Sequence, residues 1–239
     1  MDRKDHWAWP LFARGAIDKG RMLVHFQQEY ATYVRDFPVL LARVLGQEPP
    51  EDVRRSLAEN LYEEQTGGLS RRVSHPELFL RMMDGLGYDR ALFENPALLP
   101  ASAAYKEFLL RATARPPWQI GAAVATIFVE GSVNERAVIE GRAAPPPADP
   151  EDAVRAHPLV RVHGVEARFM DLVRVHRDVE GGHRDDAWRA ILGYTPLALE
   201  RRVVSSVRKA LRLWLAYRDG VVGAMGLQPG VIDEARPSP

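Results

Sequence analysis

Residues 169–183, FMDLVRVHRDVEGGH, contain the spacing on which the interpretation of the whole chain depends. His176, Glu180 and His183 follow one another at steps of four and three residues. At about 100° per residue, these steps place the three side chains on one helix face, within about 60° of each other. Imidazole and carboxylate ligands suit iron, manganese or zinc, and Glu-x-x-His is a pair that ferritin-like di-metal bundles use. The stretch therefore predicts a metal-binding helix. The alternative is a polar face with two incidental histidines, or a helix that ends at Gly181-Gly182.

A second candidate ligand is Glu130, which lies within the apolar stretch IGAAVATIFVEGSV at residues 120–133. Desolvation of a carboxylate in the middle of an apolar helix is costly unless a cation or hydrogen-bond donors receive it. The sequence therefore indicates that Glu130 has such a partner. The alternatives are a narrow solvent-facing stripe or a pair with an arginine.

The third candidate segment is LYEEQTGGLSRRVSH at residues 61–75. Gly67-Gly68 ends one predicted helix and joins it tightly to the next, so Glu64 and His75 are able to approach one ion. The alternative is that Glu63 and Glu64 are solvated helix charges and that His75 is a surface cap before Pro76. With the other segments, the predicted ligand set is Glu64, His75, Glu130, His176, Glu180 and His183. These three carboxylates and three imidazoles suffice for two ions with positions left open for a small oxidant.

Apolar residues recur near a period of 3.6, and alternating period-two runs are scarce, so the chain is predicted to be all-α. Ser74 and Glu77 form a predicted capping box, and prolines start two further helices. The predicted helices are Asp18–Tyr33, Phe37–Leu45, Pro50–Thr66, Pro76–Gly85, Ser102–Thr113, Pro117–Glu140, Val165–Val179, His183–Leu192 and Leu197–Val222. We expect one helical domain over residues 1–239, with a proline-rich loop near 141–152 and a disordered tail from about 230.

Composition narrows the classes of function. The 239 residues include 32 Lys+Arg and 32 Asp+Glu, and this balance argues against nucleic acid and anionic membranes as partners. The absence of cysteine excludes disulfides, thiolate metal sites, iron–sulfur clusters and a cysteine nucleophile. No apolar run reaches about 18 residues and the N-terminus is charged, so we expect a cytoplasmic protein without a membrane span. The apolar stripe around Val203, Leu211 and Trp214 indicates core packing or a homodimer interface.

Several segments, taken in order, resemble the haem-oxygenase-like di-metal oxidases and oxygenases. This TenA/PqqC-like superfamily includes pyrroloquinoline quinone synthase C and thiaminase II, and its members are known as iron-containing redox enzymes. The resemblance is carried by HWAW at 6–9, FQQEYATYVRDFP at 26–38, NLYEE at 60–64, HPELF at 75–79, AAVATIFVE at 122–130 and the triplet at 176–183. It implies a bundle of about seven main helices, in which the six predicted ligands hold two ferrous ions, or manganese, and dioxygen is the co-substrate.

Departures from relatives narrow the activity that the resemblance implies. The chain is similar to the subgroup that makes p-aminobenzoate from its own tyrosine, but Trp9 and His25 stand at the matching tyrosine positions and Glu140 at the lysine position. The nucleophilic cysteine of thiaminase II is also missing. The resemblance therefore implies an oxygen-dependent di-iron enzyme acting on a small metabolite, by hydroxylation, desaturation, carbon–carbon cleavage or N-oxygenation. The alternatives are a metal-independent oxidase of the quinone-synthase kind and a non-catalytic protein that binds a ligand or haem through His176 or His183.

Overall fold

Every ordered element in the described part of the chain is a helix. The computed structural model describes residues 2–131 and 149–229, with the backbone alone for residues 178–184. No strand occurs in these ranges, so the all-α prediction is confirmed. The longer helices are α1 (Lys19–Glu29, continuing as the π-helix Tyr30–Val34), α2 (Phe37–Leu45), α3 (Glu51–Thr66), α4 (His75–Leu86), α5 (Pro100–Ala114), α6 (Trp118–Ala122, continuing as the π-helix Ala123–Val129), α7 (Asp171–Tyr194) and α8 (Leu197–Ala224). Shorter helical segments are Asp2–Lys4, Trp9–Ala13, Ala91–Glu94, Pro150–Ala156, Pro158–Arg161 and Ala167–Phe169.

Local capping explains why the predicted ends of several helices agree with the structure. The Asp18 carboxylate accepts a hydrogen bond from the Arg21 backbone N–H at the start of α1, and Ser74 Oγ accepts one from the Glu77 N–H at the start of α4. The reciprocal half of the predicted capping box is wrong. The Glu77 carboxylate instead pairs with the Arg90 guanidinium at 3.0 Å, a charge-assisted contact that is stronger than one bond to a backbone N–H.

The predicted division of α7 is also wrong. One helix runs from Asp171 to Tyr194, so Gly181-Gly182 does not interrupt it, and it begins six residues after the predicted start at Val165. Two internal glycines cost only about 2 kcal/mol relative to alanine. The packing of α7 against α3, α4 and the π-helical part of α6 outweighs that cost. Because the helix is continuous from Asp171 to Tyr194, positions 176, 180 and 183 lie on one face of it, as the spacing predicted.

The predicted proline-rich loop near residues 141–152 ends earlier than expected, because a helix begins at Pro150. Asp149 caps the segment Pro150–Ala156 by accepting a hydrogen bond from the Glu151 N–H at 2.8 Å, and Pro150 occupies the first turn. The part of the predicted loop from Pro150 onward is therefore helix. The predicted uninterrupted helix Pro117–Glu140 is wrong, because the helix that begins at Trp118 ends at Val129 and Glu130 lies in a turn. Residues 132–148 and the predicted tail lie outside the described residues.

Helix α7 occupies the position that assembles the candidate site, because α3, α4 and the end of α6 all pack against it. On the other side of the bundle, α8 packs along α5, where the rings of Tyr105 and Tyr217 stack with centroids 5.7 Å apart. Fully buried residues of this core include Leu41, Met83, Tyr105, Leu109, Phe128 and Tyr217. None of the helices that the structure describes is long and apolar enough to cross a membrane.

The turn between α3 and α4 depends on Gly67, and replacing this residue by alanine is expected to destabilise the fold. Gly67 has φ of 61°, and a Cβ there would lie 2.2 Å from the Val73 carbonyl oxygen. We expect Gly67→Ala to lower the free energy of unfolding by about 2 kcal/mol or more, measured by urea denaturation. Gly223→Ala is the control, because its Cβ would meet nothing within 4 Å in helix α8. An unchanged unfolding midpoint for Gly67→Ala would contradict the interpretation.

Candidate functional site

A cavity of about 720 Å³ lies between α1, α3, α4 and α7 and is covered by the segment 157–163. Four of the six predicted ligands line it, namely Glu64, His75, Glu130 and His176. The side chains of Glu180 and His183 lie outside the described residues, although the backbone of α7 passes through both positions. The fold therefore brings the four described candidates to one cavity from four different helical segments.

His75, at the start of α4, lies between two carboxylates of α3 and is 4% exposed. Its Nε2 is 3.4 Å from Glu63 Oε1, in hydrogen-bonding geometry, and its Nδ1 is 2.9 Å from Glu64 Oε1. Although the second contact is short, Nδ1 is not aligned for a hydrogen bond. Burial lowers the pKa of His75, but Glu64 and Glu63 outweigh that effect and raise the pKa above its ordinary value. The two ring nitrogens of His75 thus contact two different carboxylates, Nε2 that of Glu63 and Nδ1 that of Glu64.

Glu63 is an acid beside the candidate ligands that the sequence interpretation did not select. It is fully buried, so the alternative of a solvated helix charge is wrong for this residue. Its carboxylate accepts hydrogen bonds from the Leu69 N–H at 2.7 Å and from Ser70 Oγ. Burial alone raises the pKa of Glu63, but the bonds from Ser70, Leu69 and His75 bring the pKa below its ordinary value. The available signal was helical spacing, since Val53, Leu57 and Asn60 precede it on the buried face of α3.

Glu130 lies directly after the π-helical end of α6, where two polar residues hold it. Asn60 Nδ2 on α3 donates to Glu130 Oε1 at 3.0 Å. Lys4 Nζ donates to the carbonyl oxygens of Phe128, Val129 and Gly131 at 2.7, 3.1 and 2.9 Å. These bonds place the carboxylate at the cavity wall, which explains how an acidic side chain ends an otherwise apolar helix.

His176 completes the described part of the site from α7. Its ring centroid is 5.2 Å from that of His75, with an angle of 51° between the two ring planes. The structure therefore places the imidazole from the predicted triplet beside the imidazole from the predicted Glu64/His75 pair. This juxtaposition joins two segments that are about a hundred residues apart in the sequence.

The distance between His75 Nδ1 and Glu64 Oε1 fits two ligands of one divalent metal ion. Because the Glu63 carboxylate only accepts hydrogen bonds, His75 Nε2 carries a ring proton, and Nδ1 is the ring nitrogen that faces Glu64. Two acceptors 2.9 Å apart require a proton or a cation between them. Two ligands of one ion, with bonds of about 2.1 Å, are about 3 Å apart. Among the residues with described side chains, however, no three His, Asp or Glu lie close enough together to hold an ion.

Three tyrosines lie on the helices that carry the site, and two of them point inward. Tyr33 lines the cavity, and Tyr30 is buried against Phe79 with ring centroids 5.5 Å apart. Tyr62 is 52% exposed. It precedes the buried Glu63 by one residue, and a step of about 100° turns its side chain away from the interior.

The opposite end of the cavity contains a buried polar network that the sequence did not reveal. Arg218 of α8 donates from Nη2 to Glu29 Oε1 at 2.9 Å and from Nη1 to His25 Nδ1 at 3.2 Å. His25 Nε2 lies 3.0 Å from Glu29 Oε2, and Tyr33 donates its hydroxyl proton to Glu29 Oε1. Arg218 is 4% exposed and lies over the rings of Trp9 and Tyr217. A buried ion pair thus closes this end.

The charge states in this network follow from the contacts. Burial alone raises the pKa of Glu29, but Arg218 and His25 lower it far below its ordinary value, so the carboxyl is ionised. Burial lowers the pKa of His25, and this effect outweighs the attraction of Glu29. His25 is therefore neutral near pH 7 and carries its proton on Nε2, since Nδ1 accepts from Arg218.

Comparison with known proteins bears on the family and the fold. The family model described as iron-containing redox enzyme matches residues 24–215, which is most of the chain and includes Glu64, His75, Glu130 and the 176–183 triplet. Ten chains of known structure match the fold. One is a TenA homologue from Pseudomonas syringae pv. tomato, with 14% identity and a TM-score of 0.70 over 93% of this chain and 87% of that chain. No curated protein sequence matches significantly.

Proposed function

The chain belongs to the family of iron-containing redox enzymes, and on that basis we propose that it is an oxygen-dependent, non-haem di-iron oxidase or oxygenase acting on a small metabolite. The observation that carries the proposal is the approach of His75 Nδ1 to within 2.9 Å of Glu64 Oε1, on a cavity that Glu130 and His176 also line. The reaction is a hydroxylation, desaturation, carbon–carbon cleavage or N-oxygenation.

The residues that would hold the two irons are Glu64, His75, Glu130, His176, Glu180 and His183. Manganese is the other ion that this mixture of imidazole and carboxylate suits. When bound, the ferrous ions supply the electrons that activate dioxygen for oxidation of the substrate.

The chain's own residues orient the ligands and give them an apolar surrounding. Glu63 holds the proton of His75 Nε2, which directs the opposite ring nitrogen to the cavity. Asn60 donates to one oxygen of Glu130 and so orients that carboxylate at the cavity wall. Phe26, Phe79 and Leu172 line the same cavity with apolar side chains.

The experiment that tests the proposal is an anaerobic ferrous titration of metal-free protein, followed by mixing with oxygenated buffer. We expect two irons bound per chain, oxygen uptake and a transient visible absorption band. Activity that survives chelation would favour the metal-independent oxidase instead. A Soret band on adding haem, without oxygen uptake on adding iron, would favour the binding protein.

Glu63→Gln provides a test of ligand orientation. The amide keeps the size of the side chain but is a weaker acceptor for His75 Nε2–H, so the ring is held less firmly. We expect iron affinity to fall by roughly 10- to 100-fold, measured by competition with a chelator of known affinity. Glu59→Gln on the exposed face of the same helix is the control. Equal iron affinities for the two variants would show that Glu63 has no role in orienting His75.

A further inference from the structure

The main cavity wall carries three carboxylic acids and five histidines. Among the described residues that line it, the acids are Glu29, Glu64 and Glu130, and there is no lysine or arginine. Arg218 is near but lies behind Glu29, on a smaller neighbouring cavity of about 270 Å³. A wall of this kind attracts cations and hydrogen-bond donors and is unfavourable for an anionic group.

Glu29 is the acid at the end of the cavity away from the candidate metal ligands. Its Oε1 accepts from Arg218 and Tyr33, whereas Oε2 has one contact within the described part of the chain, with His25 Nε2 at 3.0 Å. A carboxylate has about four acceptor positions, so Oε2 has capacity for a further donor. The side chain is 17% exposed and lines the cavity. Arg218 keeps the pKa of Glu29 low, so the available acceptor belongs to an anion.

Aromatic rings surround the same end of the cavity. The rings of Phe12, Phe26 and Trp9 lie 4.8, 4.9 and 6.0 Å from the ring of His25, between centroids, and all three residues line the cavity. An ionised carboxylate together with ring faces is the usual environment of a bound ammonium group. His25 is neutral, so the cation at this end is Arg218, which contacts the other oxygen of Glu29 and lies over Trp9.

We propose that the Glu29 end of the cavity binds the amine group of the substrate, whose apolar body lies along Phe26 and Phe79 toward His75. The substrate class is therefore a small amine with an aliphatic or aromatic body. As a statement about the substrate, this rests on the proposed function. As a statement about binding, it requires neither iron nor oxygen.

The path between the two ends supports an apolar body. Phe79 lies one helical turn after His75 on α4, and its ring centroid is 6.1 Å from that of Phe26, which follows His25 on α1. Leu172 and Met82 line the same cavity. The volume of about 720 Å³ is in the range of sites for small organic molecules.

The test measures binding of three matched probes to the full-length, metal-free protein by calorimetry at pH 7. The probes are 2-phenylethylamine, 2-phenylethanol and 3-phenylpropanoate, which share a phenyl body and differ in charge. We expect the amine to bind tightest and the carboxylate weakest. Glu29→Gln should weaken amine binding by roughly tenfold or more, because a charge-assisted contact is lost, and change binding of the alcohol by less than about threefold.

Two further variants keep the test decisive. Glu29→Gln leaves Arg218 buried without its partner, so Glu29→Gln/Arg218→Met removes both charges and should show the same loss of amine preference. Glu59→Gln removes an acid on the exposed face of α3, outside the cavity, and should bind the amine within about threefold of wild type. Tighter binding of the carboxylate, unchanged amine affinity in Glu29→Gln, an equal loss in Glu59→Gln, or no amine binding to wild type would each overturn the proposal. Because these readouts are independent of iron, a failed ferrous titration with intact amine binding would overturn only the proposed function.

Discussion

His75→Ala is expected to lower oxygen-dependent turnover by more than about 100-fold while the helical content stays unchanged. In the proposed site, this imidazole is the ligand that Glu63 orients and that faces Glu64 at 2.9 Å. Its removal takes a ligand from one iron and leaves two α3 carboxylates without their common neighbour. We expect Glu130→Ala to have an effect of the same size, since that carboxylate reaches the site from α6. The measurements are oxygen uptake with iron supplied, bound iron per chain, and far-ultraviolet circular dichroism.

Ser74→Ala is the control for the local effect of changing the start of α4. It removes the cap that Ser74 Oγ provides to the Glu77 N–H and should cost about 1 kcal/mol of stability. Iron stoichiometry and turnover should be retained, because Ser74 does not line the cavity. Retained turnover in both His75→Ala and Glu130→Ala would show that the assignment of these ligands is wrong.

The second large effect is expected from Arg218→Met, which should destabilise the fold by about 3–5 kcal/mol at pH 7. The variant keeps an apolar stem of similar length but leaves Glu29 ionised and buried, without the guanidinium that lies 2.9 Å from it. Chemical denaturation followed by tryptophan fluorescence measures the change. Arg212→Met, at an exposed position of α8, is the matched control and should change stability by less than about 0.5 kcal/mol.

The pH dependence of this loss has a definite sign. In wild type the pKa of Glu29 is lowered from 4.5, so its contribution to stability is present above that value and is lost as the pH falls through the lower, folded-state pKa. In Arg218→Met, burial without the cation raises the pKa instead, so that contribution to stability decreases as the pH rises. The difference in unfolding free energy between wild type and variant should therefore shrink from pH 7 to pH 4. A difference that grows toward acid would contradict the ion-pair explanation.

Much of the fold was predictable because the signals are local. Asp18 caps α1 through a bond to Arg21, only three residues away, and Gly67 ends α3 because it adopts a left-handed conformation. The spacing of apolar residues predicted Phe37–Leu45 with both ends correct. The predicted helix end at Val179 was wrong. Gly181 and Gly182 disfavour a helix only weakly, and packing of α7 against three other elements outweighs that effect.

The candidate site was predictable as a set of segments but not as a set of contacts. Each candidate at positions 64, 75, 130 and 176 was identified from a pattern within its own segment, and in the structure all four line one cavity. The choice between Glu63 and Glu64 did not follow, because both lie on α3 and only its rotation against α4 decides which is buried beneath His75.

The sequence was sufficient for the helical class, for most helix ends and for the candidate ligands, because helices and caps depend on interactions within about four residues. Only the tertiary structure decided which polar residues meet across the bundle. Asn60 and Glu130 are 70 residues apart and Glu29 and Arg218 are 189 apart, and no local pattern in either member specifies the other. Their pairing follows from how amphipathic helices bury their apolar faces together, which is a property of the whole chain.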